Sequence, residues 1–139
     1  MSPAKPIYLL DSFALLSYLE GEPGRPQVQE LLAQAEIRRC RLVMCWVNLG
    51  EVLYIVERGR GLPSAQTVLA LVESLPIELV EASRDLVLDA AHIKANHALS
   101  YADAFAVATA LREHAVILTG DPEFEAVADL VNVEWIKTA

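Results

Sequence analysis

Apolar residues fall along this chain in short runs that alternate with helical stripes. Ile7 to Leu10, Arg41 to Cys45, Ile77 to Val80, Val116 to Leu118 and Val133 to Ile136 have the length and composition of buried strands. Between them the apolar spacing is helical. Ser12 to Leu19 predicts a short helix, stopped by Gly21-Glu22-Pro23-Gly24. From Gln27 to Arg39, a stripe of Val28, Leu31, Leu32 and Ala35 predicts a second. Val47 to Arg58 predicts a third, ended by Gly59-Arg60-Gly61 with basic residues in its last turn. Pro63 opens a helix running to about Leu75, with Pro76 as its stop; Ser83 caps one reaching about Asn96, and Ser100 caps one reaching about His114. Strands alternating with helices predict an α/β fold, a mostly parallel sheet of about five strands with helices on both faces. Neither a repeat nor a linker divides the chain, so residues 1–139 are expected to form one domain.

Acidic residues break this pattern at four places. Asp11 closes the first apolar run, and Asp121 follows the fourth in Leu118-Thr119-Gly120-Asp121. Glu51 lies inside Val47-Asn48-Leu49-Gly50-Glu51-Val52-Leu53, and Asp103 inside Tyr101-Ala102-Asp103-Ala104-Phe105-Ala106. Each has a plain structural reading. Asp11 can cap a helix, Glu51 can pair with a surface base, Asp103 fits a capping box after Ser100, and Asp121 fits a turn before Pro122. Taken together they point elsewhere, because carboxylates are rarely buried unless paired or bound to a cation. Asp11 and Asp121 also fall at predicted strand carboxyl ends, the edge on which open parallel sheets bind ligands. Hard oxygen donors of this kind select Mg²⁺ or Mn²⁺, and paired ions of this type suit phosphodiester hydrolysis. Gly50 costs roughly 1 kcal/mol relative to Ala inside a helix; close packing there would account for it.

Composition narrows the class. Of 139 residues, 54% are hydrophobic, enough for a sizeable core, yet no uncharged apolar run is long enough to span a membrane. The stretch Met1 to Pro6 has no signal-peptide pattern. Cys40 and Cys45 lack zinc-site spacing and are expected to be reduced core thiols, which predicts a cytoplasmic protein. The net charge of −8 argues against a generally nucleic-acid-binding surface. A carboxylate-bound metal would neutralise part of that charge locally, and the balance also suits a basic protein partner.

The four acidic segments, in this order and spacing, resemble those of PIN-domain nucleases, and more narrowly of VapC-like toxins from toxin–antitoxin pairs. The likeness runs through Leu9-Leu10-Asp11-Ser12-Phe13, Asn48-Leu49-Gly50-Glu51-Val52, Tyr101-Ala102-Asp103-Ala104-Phe105 and Leu118-Thr119-Gly120-Asp121-Pro122-Glu123-Phe124. It implies a Rossmann-like α/β/α sandwich, Mg²⁺- or Mn²⁺-dependent endoribonuclease activity and inhibition by a cognate antitoxin. It further implies that Asp11, Glu51, Asp103 and Asp121 hold the metal or its water, with Ser12, Thr119 and Asn48 in support. Cys45 and Trp46 stand where small hydroxyl residues are frequent in the family. Water attack need not use the ribose 2′-hydroxyl, so 3′-hydroxyl and 5′-phosphate ends are expected.

Arg58, Arg60 and Lys94 are candidate RNA contacts, although as exposed cations they need no such role. Trp46, Tyr54 and Phe105 are expected in the core, and His92 and His97 as structural or surface residues. An antitoxin helix is expected between the second and third helices, and a homodimer through the same kind of surface. Three other functions compete. A PIN-like RNA-processing nuclease would lack an antitoxin. A phosphoaspartyl enzyme would need a second acid where Phe13 stands. A non-catalytic binding module would not need all four acids.

Overall fold

A computed structural model describes residues 4–138. Met1 to Pro3, part of the amino-terminal stretch considered above, lie outside the described residues. The sheet has five parallel strands, β1 (Ile7–Leu10), β2 (Arg41–Cys45), β3 (Ile77–Val80), β4 (Val116–Thr119) and β5 (Val133–Trp135), in the order β3-β2-β1-β4-β5. Six α-helices accompany them: α1 (Ser12–Leu19), α2 (Arg25–Glu36), α3 (Trp46–Arg60), α4 (Leu62–Ser74), α5 (Arg84–Asn96) and α6 (Tyr101–Glu113).

Strand alternation divides the core between two faces. Leu9 pairs with Val43 and Ile117, and these three side chains pack with α5 and α6. Leu10, Leu42, Met44 and Leu118 point the other way, into a core completed by α1, α2, α3 and α4. The helices on both faces and the parallel sheet agree with the apolar pattern. Helix α6 is buried without a break from Asp103 to Ala110. Ala104, Ala106, Ala108 and Ala110 keep that stretch thin enough to lie directly under β1, β2 and β4. Cys40 and Cys45 are free and buried. Among the described residues, no helix is long and apolar enough to cross a membrane.

Several boundaries move, for local reasons. Helix α2 starts at Arg25, because Pro26 favours the first helical turn, and it ends before Arg38, whose φ of 61° is left-handed. Helix α3 runs through Gly59 and stops at Gly61, whose φ is 91°. Between β4 and β5 a 3₁₀ helix (Pro122–Val127), absent from the sequence expectation, buries Phe124 and Val127. Tyr54 is exposed, with the Arg58 guanidinium 5.0 Å from its ring centroid, whereas Phe105 is buried and Trp46 half-buried. The placement of Tyr54 in the core is therefore corrected; it sits on the outer side of α3 with Ile55.

Gly50 does not mark a close approach. It is exposed, and a Cβ there would meet nothing within 4 Å. Its helix penalty is thus uncompensated by packing. Gly50→Ala is expected to stabilise the fold by about 1 kcal/mol, raising the melting temperature by about 3–5 °C in thermal denaturation. An unchanged or lower melting point would show that Ala adds no helix stability at this position.

Candidate active site

Strand order reverses at β1, which has β2 on one side and β4 on the other. The chain leaves these neighbouring strands toward opposite sides and opens a crevice at their carboxyl ends. Asp11 follows β1 directly and caps α1; its Oδ1 accepts the Ala14 N–H at 2.8 Å. Its Oδ2 accepts the Thr119 hydroxyl at 2.5 Å, and that hydroxyl oxygen in turn accepts the Asp121 N–H at 3.0 Å. Thr119, the last residue of β4 and fully buried, thereby ties the two strand ends together. Asp121 caps the 3₁₀ helix by accepting the Glu123 N–H at 2.9 Å. Gly120 between them permits this approach. A Cβ there would overlap the Phe13 ring and come within 2.9 Å of Thr138.

Asp103 reaches the same crevice from the first turn of α6. Ser100 caps that helix by accepting the Asp103 N–H at 3.1 Å. In a capping box the acid three residues on would accept the cap's own N–H. Here the Ser100 N–H goes instead to Glu123 Oε1, at 3.1 Å. Asp103, Asp121 and Glu123 bring one carboxylate oxygen each within 4.8 Å of one another. Glu51 enters from α3, half-buried, with Oε1 buried and unpartnered. Asn48, one turn earlier and fully buried, donates from Nδ2 to the Ala102 carbonyl at 2.9 Å.

The electrostatics follow from burial. Asp11 is 1% exposed, and its pKa is pushed up to about 7. Loss of water is the main cause; Asp103 and Asp121 add like-charge repulsion, against the opposing hydrogen bonds from Thr119 and Ala14. Asp103 is also raised to about 7, first by burial, then by Asp121 and Glu123, with a smaller push from Glu51. The ion pairs of the described residues join Arg41 to Glu78, Arg60 to Glu20, Arg84 to Asp85 and Arg112 to Asp89, so none compensates these acids. Among the described residues, an all-oxygen set with no cationic side chain and two buried carboxylates of raised pKa fits a hard divalent cation.

Of the four acids expected from sequence, Asp103 and Asp121 come within ligand distance of each other and of Glu123. Asp11 stands near enough for charge to act between it and both Asp103 and Asp121, and Glu51 near enough to act on Asp103. Thr119 and Asn48 are hydrogen-bonded at the same edge. Ser12 opens α1 beside Asp11, but among the described residues no hydrogen bond joins it to the acids. Arg60 is paired with Glu20, Arg58 covers Tyr54, and Lys94 lies exposed in the last turn of α5; none of the three contacts the cluster. Glu123 was missed. Its signal was present in Asp121-Pro122-Glu123, where a proline-led turn folds the second acid back beside the first.

A family model described as the PIN domain matches residues 8–130. Comparison with curated proteins gives no match. Among solved structures, a chain of VapBC2 from Rickettsia felis, bound to a promoter DNA fragment, superposes with a TM-score of 0.74 at 16% identity, covering 94% of this chain and 99% of that one. VapC20 from Mycobacterium tuberculosis, a toxin that cleaves the sarcin–ricin loop, gives 0.70 at 21% identity, covering 91% and 98%. A chain of DNA-bound VapBC from Salmonella typhimurium gives 0.71 at 16%, covering 93% and 97%.

The raised Asp103 pKa has a consequence for stability. In the unfolded chain this carboxyl loses its proton near 3.8; in the folded chain it does so near 7. Between those values the folded state holds a proton that the unfolded state has released. Stability therefore falls as pH rises across the window, and levels off above it. Asp103→Asn removes the effect. In metal-chelated protein, the variant is expected to match wild type near pH 4 and to exceed it by about 1–3 kcal/mol at pH 8, measured by denaturant unfolding. Parallel profiles across that range would contradict the burial argument.

Proposed function

Because the chain belongs to the PIN domain family, we propose that it is a divalent-metal-dependent endoribonuclease that acts as the toxin of a toxin–antitoxin pair. The observation that carries this reading is the convergence of Asp11, Asp103 and Asp121 at one strand-end crevice without a cationic partner among the described residues. Asp11, Glu51, Asp103 and Asp121 would hold Mg²⁺ or Mn²⁺, with Glu123 on the exposed side of the same cluster. When bound, such an ion lowers the pKa of water and offsets charge on a phosphate.

The residues themselves supply the rest. Asp11 is fixed at both oxygens and forms the floor of the site. Thr119 keeps the Asp121 backbone in register with that floor. Asp121 and Glu123 lie toward solvent and mark the side from which a phosphodiester would enter. Hydrolysis forms a bond from water oxygen to phosphorus and breaks the bond to the 3′ oxygen. The water's proton passes to a carboxylate and the leaving oxygen gains one, giving 3′-hydroxyl and 5′-phosphate ends.

The partner reading rests on the VapBC structures among the neighbours and on a surface cavity. Between α2 and α3, the expected antitoxin site, much of the apolar surface is already used. The stripe of Val28, Leu31 and Leu32 on α2 is spent in the core, and α1 packs against both helices. A cavity of about 530 Å³ opens instead between α1 and α3, lined by Phe13, Leu16, Glu20, Glu22 and Ile55. Its rim is of mixed charge, with Lys137, Glu22 and a Glu20 already paired to Arg60, and its apolar floor suits the nonpolar face of an amphipathic antitoxin segment. A homodimer, action in the cytoplasm on RNA, and Arg58 as a backbone contact complete the proposal.

The test is incubation of antitoxin-free protein with total RNA in Mg²⁺ or Mn²⁺, beside EDTA and Asp11→Asn controls. Discrete fragments with 5′-phosphate ends are expected, needing metal and falling about 10²–10³-fold in rate in the variant. Intact RNA from folded, metal-supplied protein would contradict the reading.

A further inference from the structure

Two buried side-chain oxygens among the described residues have no hydrogen-bond partner: Asn48 Oδ1 and Glu51 Oε1. They stand three apart on α3 and so share one face of it. Both side chains turn toward the start of α6. Asn48 donates to the Ala102 carbonyl, and the Glu51 charge bears on Asp103, the next residue. The orientation of the Asn48 amide is not free. A carbonyl can only accept, so Nδ2 must face Ala102 and Oδ1 must face away. An acceptor left bare in the interior is costly, and native proteins meet such a need with ordered water.

From this pair of oxygens we infer that Asn48 is a positioning residue with two tasks, anchoring the first turn of α6 through Ala102 and holding, jointly with Glu51, a water that donates one hydrogen to each oxygen. The first task fixes the backbone that carries Asp103. The second fixes the Glu51 carboxylate without a cationic neighbour. Asparagine is suited to both because it offers a donor and an acceptor on opposite sides of one rigid plane. Leucine of similar shape offers neither.

As this deepens the metal reading above, the test separates the two. Mn²⁺ affinity is measured by calorimetry for wild type, Asn48→Leu, Asn48→Ala, Glu51→Gln and the Asn48→Leu/Glu51→Gln pair, with melting temperature recorded for each. The Asn48 variants are expected to bind Mn²⁺ about 10- to 100-fold more weakly, and the double variant to lose less than the sum of the single losses. Variants that melt lower yet bind Mn²⁺ like wild type would reduce Asn48 to a packing residue and overturn the inference, as would additive losses. A high-resolution crystal structure of the wild type, which needs no variant to fold, is expected to show a water within about 3.2 Å of both oxygens. No water there would overturn the shared-water assignment. Wild type that fails to bind Mn²⁺ would sink the metal reading while the water remained observable.

Discussion

Three carboxylates, Asp11, Asp103 and Asp121, are crowded at the end of a buried strand pair, with no positive side chain among the described residues paired to them. Every feature around the crevice either tolerates or maintains that crowding. Removing water from a carboxylate raises its free energy steeply, and a second like charge adds to it. A chain selected for stability alone would replace one of these acids by an amide or pair it with a lysine. This one instead spends backbone and hydroxyl hydrogen bonds on keeping Asp11 oriented.

The fold supplies the geometry through parts that have no charge. Strand reversal at β1 opens the crevice. Thr119 passes a hydrogen-bond chain from the end of β4 to the end of β1. Gly120 lets the Phe13 ring sit where any side chain would push the two strand ends apart. The alanine face of α6 brings its first turn, and with it Asp103, close beneath the sheet. Ser100 and Glu123 complete the arrangement, because Glu123 takes the capping hydrogen bond that Asp103 would otherwise be expected to take.

Much of this was legible in the sequence because it is local. Apolar runs bounded by glycine, proline and hydroxyl residues located the five strands. Ser83 and Ser100 cap the helices they were expected to cap. The four acids stood out because each interrupts a buried pattern, which is a property of its own neighbourhood. What stayed hidden depends on distant contacts. The exposure of Tyr54 follows from which side of α3 meets α1 and α4. Glu123 looked like an ordinary surface acid, since only the placement of Ser100 gives it a partner. The apolar stripe on α2 is consumed by the core beneath it. Periodicity reports that a face is apolar, not what covers it.

If these carboxylates share a cation, a crystal of the protein soaked in Mn²⁺ will reveal it, with data collected to locate manganese by anomalous scattering. A peak is expected in the crevice, at about 2.0–2.3 Å from oxygens of at least two of Asp11, Asp103 and Asp121. An empty crevice at saturating Mn²⁺, or manganese bound only elsewhere on this acidic surface, would contradict a shared cation site.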